Sequence, residues 1–63
     1  MKLYVNDEPA YIGEQYTTFR GLTVTLLDMR EPHKPSSSGK VYLQFENGAV
    51  GEYYPNVING KWR

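Results

Sequence analysis

A chain of 63 residues with 40% hydrophobic and 14% aromatic content can form one small domain, although folding at that size removes only about 60% of the unfolded surface from water. With no cysteine and a single histidine, disulfide staples, thiolate metal sites and imidazole clusters are excluded. Seven basic and seven acidic side chains cancel, which argues against a dedicated nucleic-acid binder, whose affinity rests largely on neutralising phosphates.

The sequence begins at Met1 and is expected to be a complete single domain spanning residues 1–63. No run of 18 apolar residues and no charged, then apolar, leader is present, so neither a membrane span nor a signal peptide is expected. Absence of cysteine fits a cytoplasmic setting. Stability has to come from a compact apolar core, to which each aromatic ring brings about 150–250 Å².

Leu3-Tyr4-Val5 predicts a short first strand, and Asn6-Asp7-Glu8-Pro9, poor strand formers, predict a turn or the root of a loop. Ala10 to Phe19 lacks clean alternation. Tyr11, Ile12, Tyr16 and Phe19 are expected to tuck beneath the core, with Glu14 and Gln15 facing water. Leu22, Val24 and Leu26 alternate with Thr23 and Thr25, as in a half-buried strand. Leu27 and Met29 carry the opposite parity, which predicts a bulge or bend. Glu31 to Ser38, with two prolines and three serines, predicts an exposed loop.

Gly39 to Glu46 is the clearest strand: Val41, Leu43 and Phe45 point inward, and Lys40, Tyr42, Gln44 and Glu46 outward. Asn47-Gly48 marks a hairpin. A two-residue turn would pair Leu43 with Glu52 and bury that carboxylate at a cost of several kcal/mol. One bulge residue at Gly48 pairs Leu43 with Gly51 and Val41 with Tyr53 instead, leaving Glu52 in solvent. Pro55-Asn56-Val57-Ile58 predicts one turn of 3₁₀-helix, Asn59-Gly60 a further turn, and Lys61-Trp62-Arg63 a short closing strand.

The segments Gly21-x-x-Val24, Gly39-Lys40-Val41-x-Leu43-x-Phe45-x-Asn47-Gly48 and Tyr54-Pro55-Asn56-Val57-Ile58 together resemble the SH3-like superfamily of SH3, Tudor and KOW-type modules over roughly Gly21 to Trp62. The resemblance implies an all-β, five-stranded SH3-like barrel with one 3₁₀ turn before the last strand. The Ala-Leu-Tyr-Asp-Tyr-like entry and the Trp-Trp pair of peptide-binding SH3 domains are absent. A shared fold does not carry function with it.

Catalysis is not expected, nor is a cofactor or a metal. His33 and Ser36-Ser37-Ser38 share one loop, which reads as solvated surface and not as a nucleophile with its base. Asp7-Glu8 beside Pro9 reads as a polar turn. Tyr4, Phe19, Phe45, Tyr53 and Trp62 are assigned to the core, whereas Tyr42 and Tyr54 should share an outer face close to Glu52. Exposed tyrosine marks interfaces because its ring buries area at low entropic cost. The expected function is therefore a non-catalytic binding module acting on a protein partner, an accessory or regulator of a larger enzyme or assembly. Its candidate contact residues are Tyr42, Tyr54, Glu52, Arg30, His33, Lys34 and Lys40. The alternative is a KOW- or Tudor-like RNA- or DNA-binding module using the loop cations with Tyr42. Self-pairing of an open sheet edge is a third route to association.

Overall fold

The computed structural model describes residues 1–34 and 37–63, so the Pro35 and Ser36 part of the expected loop lies outside the described residues. Among the described residues there are seven strands: β1 (Leu3–Val5), β2 (Glu8–Pro9), β3 (Gln15–Thr17), β4 (Thr23–Arg30), β5 (Lys40–Phe45), β6 (Val50–Tyr53) and β7 (Gly60–Trp62). A 3₁₀ turn over Pro55–Ile58 separates β6 from β7, as the sequence predicts. The all-β expectation holds, but the five-stranded closed barrel does not. The strands form two antiparallel sheets, in the orders β2-β1-β7 and β3-β4-β5-β6, and among the described residues no ladder joins one sheet to the other.

Both additional strands come from the segment expected to be loop. Asn6 and Asp7 adopt φ of 52° and 66°, a left-handed pair that reverses the chain in two residues, and Glu8–Pro9 pairs back on β1. Proline is tolerated there because β2 is an edge strand. Gln15–Thr17 pairs with β4, placing Tyr16 opposite Val24, and the backbone bonds Gly13 N to Leu26 O and Leu26 N to Glu14 O lengthen that pairing. Tyr16 alone of the four expected aromatic and aliphatic plugs is half-buried; Tyr11, Ile12 and Phe19 stand in solvent. Leu22 is likewise 50% exposed, because β4 begins one residue later.

The core lies between the sheets. Leu3 and Val5 enter from β1, Val24 and Leu26 from β4, Val41 and Leu43 from β5, and Ile58 from the 3₁₀ turn. Phe45, Tyr53 and Trp62 are half-buried against it, the first two edge to face at 5.7 Å. Two members of the expected core are not part of it. Phe19 is 69% exposed, its amide tied to Val57 O at the outside of the 3₁₀ turn, and Tyr4 lies on the outer side of β1 under the Arg63 guanidinium.

Two register features position the outer face of the larger sheet. The β4–β5 register shifts between Leu26 and Asp28, so Leu27 is the extra residue of a bulge, Met29 returns to the core side opposite Val41, and Asp28 and Arg30 face out. The β5–β6 hairpin carries the expected bulged turn, with Gly48 at φ +89° and Leu43 opposite Gly51, Tyr42 opposite Glu52 and Val41 opposite Tyr53.

Candidate functional site

These two registers bring five of the seven expected contact residues together on the outer face of β4, β5 and β6. Asp28, Tyr42 and Glu52 form one cross-strand row, and Arg30 and Lys40 the next. Tyr54, the residue after β6, continues extended at φ −75° and ψ 146° before the 3₁₀ turn begins. Each cation crosses to a ring on the neighbouring segment, Arg30 to Tyr42 of β5 and Lys40 to Tyr54 just beyond β6. The Arg30 guanidinium sits 5.5 Å from the Tyr42 ring centroid, and Lys40 Nζ 3.7 Å from that of Tyr54. A cation over a tyrosine face is worth about 0.5–1 kcal/mol at an exposed site, enough to bias the rotamers of both partners.

Tyr42 also stands opposite Glu52 in the β5–β6 register. Hydrogen bonding to that carboxylate, followed by partial desolvation, raises the phenol above the ordinary tyrosine range, against the opposing pull of Arg30. The sign follows from linkage. The folded protein binds the phenol proton more tightly than the unfolded chain, so this contribution to stability is complete below the unfolded pKa and is lost as pH rises through the raised folded value. Glu52→Gln should bring the Tyr42 titration down, as followed by its ring resonances. An unchanged titration would assign the shift to burial instead.

His33 and Lys34 do not join this face. Both are exposed in the loop after β4, where with Pro32 they form one wall of a groove of about 780 Å³; Tyr54, Pro55 and Lys61 lie across it, and Trp62 contributes from β7. The Trp62 indole is fixed by a 2.7 Å hydrogen bond from Nε1 to Ser38 O. Tyr54 therefore belongs to both surfaces: its ring supports Lys40 and also lines the groove.

No family model, curated protein or solved structure matches the chain.

The site is consequently defined by geometry alone. The sequence reading missed Lys61 and Trp62 as parts of a surface. Trp62, a core residue by its chemistry, is half-buried against the core and also lines the groove. The alternation of Lys61 and Trp62 along β7 gives a signal, but their approach to His33, Lys34 and Ser38 depends on how β7 pairs with β1, in the register Leu3 with Trp62. A second unanticipated surface is apolar: Phe19, Leu22, Phe45, Tyr53 and Val57 line a concavity of about 340 Å³. Among the described residues no group of three or more His, Asp or Glu side chains is placed to hold a metal ion, and no helix is long and apolar enough to cross a membrane.

Proposed function

We propose that this protein is a non-catalytic binding module that engages a protein partner through the tyrosine–cation face of its four-stranded sheet, as an accessory or regulator of a larger enzyme or assembly. The observation that carries the reading is the paired stacking of Arg30 on Tyr42 and Lys40 on Tyr54. Tyrosine and arginine are enriched among the residues that dominate binding energy, and side chains ordered before contact lose less entropy on association. The described loop residues support the non-catalytic part: Ser37 Oγ accepts from the Gly39 amide, and His33 stands exposed in the loop. The order hairpin, 3₁₀ turn, closing strand supports an SH3-like arrangement, and the cysteine-free composition supports a cytoplasmic setting.

The test is affinity capture from a lysate of the source organism, with the wild-type protein and Tyr42→Ala/Tyr54→Ala compared by quantitative mass spectrometry. Neither ring belongs to the buried core, so the double variant should fold. Loss of two such anchors, at about 2 kcal/mol or more each, should release at least one captured protein almost completely. Retention of every captured protein by the variant would falsify the reading. Capture that disappears on nuclease treatment would transfer the face to nucleic acid.

A further inference from the structure

The groove beside Tyr54 has a charge character that the whole molecule lacks. Its described lining carries Lys34 on one wall and Lys61 on the other, with His33 next to Lys34, and no aspartate or glutamate. Lys40, at 3.7 Å from the Tyr54 ring centroid, adds a cation beside that wall. The chain as a whole is neutral. Glu31, the nearest acid in sequence to the loop, lies 3.8 Å from the Met1 ammonium in an adjoining concavity that shares Met1 and Trp62 with the groove, so its charge is already countered there. The same lining includes Pro32, Pro55 and the Trp62 indole, which is anchored through Nε1 to Ser38 O.

We infer that this groove takes an extended acidic segment of a protein partner, with carboxylates reaching Lys34 and Lys61 and an apolar side chain between them resting on Trp62. The inference rests on the binding-module reading and assigns the chemistry of the partner. Successive side chains of an extended segment point to opposite sides, so its carboxylates can meet lysines on opposite walls. Single-stranded nucleic acid fits the groove less well. It needs open aromatic faces for stacking, and the Tyr54 ring already carries Lys40. It also needs many phosphate contacts for useful affinity, where the walls offer two lysines.

The experiment selects binders from a displayed library of random dodecapeptides on the full chain, then titrates the best synthetic peptide while following the indole N–H resonance of Trp62, the sole tryptophan. The expected winners carry more Asp and Glu than Lys and Arg and shift that resonance. Their affinity should fall about tenfold or more with Lys34→Glu/Lys61→Glu, since two attractions become repulsions, and should also fall when their carboxylates are replaced by amides. Winners that are neutral or basic, winners indifferent to the charge reversal, or a library yielding none would overturn the assignment. So would a dodecathymidylate that shifts the Trp62 resonance at lower concentration than the best peptide. The parent reading is judged separately by the lysate comparison: a partner lost with Tyr42→Ala/Tyr54→Ala but kept by Lys34→Glu/Lys61→Glu sinks the groove assignment and leaves the tyrosine face standing.

Discussion

Replacing Gly39 by alanine should remove a large share of the folding free energy, whereas the same change at Gly48 should cost about 1 kcal/mol. Both glycines have positive φ, +68° and +89°, so backbone strain alone does not separate them. Space does. A Cβ on Gly39 would lie 2.5 Å from the Arg30 carbonyl oxygen and 2.8 Å from Trp62 Nε1, while at Gly48 nothing lies within 4 Å. The carbonyl belongs to β4, whose Arg30 is in register with Lys40, so it cannot withdraw without opening the ladder. Strain at a disfavoured φ costs about 1–3 kcal/mol and overpacking about 1–3 kcal/mol more. A domain of this length holds roughly 3–9 kcal/mol in total. Denaturant unfolding followed by Trp62 fluorescence measures both variants. Equal midpoints would mean that Gly39 does not abut the indole, and the wall of the groove would have to be redrawn. If the prediction holds, the same variant should weaken the Trp62 contact to Ser38 and disturb the groove even where some protein remains folded.

The parts of the fold legible in the sequence were those where one local rule acts alone. Alternation in Val41, Leu43 and Phe45 fixed the inner face of β5, and the cost of burying Glu52 selected the bulged hairpin over the tighter one. The parity switch at Leu27 announced the bulge in β4. What stayed hidden depended on pairing between distant segments. Gln15-Tyr16-Thr17 has no run long enough to announce a strand, and becomes one because β4 offers it an open edge. Phe19 reads as core by its chemistry, yet its amide donates to the Val57 carbonyl and its ring stands 69% exposed. The same division applies to the site. The tyrosine face follows from strand parity, whereas the groove needs Pro32 to Lys34, Ser37 and Ser38, the 3₁₀ turn and β7 placed together, which no local pattern specifies.

Adjacent leucines in β4 should respond very differently to truncation, and the difference tests the bulge on which the tyrosine face depends. Leu26 is fully buried opposite Leu43, so Leu26→Ala should lose about 2–5 kcal/mol through lost burial and the cavity left behind. Leu27, the inserted residue, is 37% exposed, and its truncation should cost less than about 1 kcal/mol. In an unbroken strand beyond Leu26 the parity would run on: Asp28 would follow Leu26 into the core and Met29 would face water. Burying an aspartate in place of Met29 is costly enough that the bulge is enforced by the sequence after it. The same step sets Arg30 outward, where it meets Tyr42. Comparable losses for the two alanine variants in chemical denaturation would place Leu27 inside the core, and Arg30 could then no longer be assigned to the ring it is proposed to order for binding.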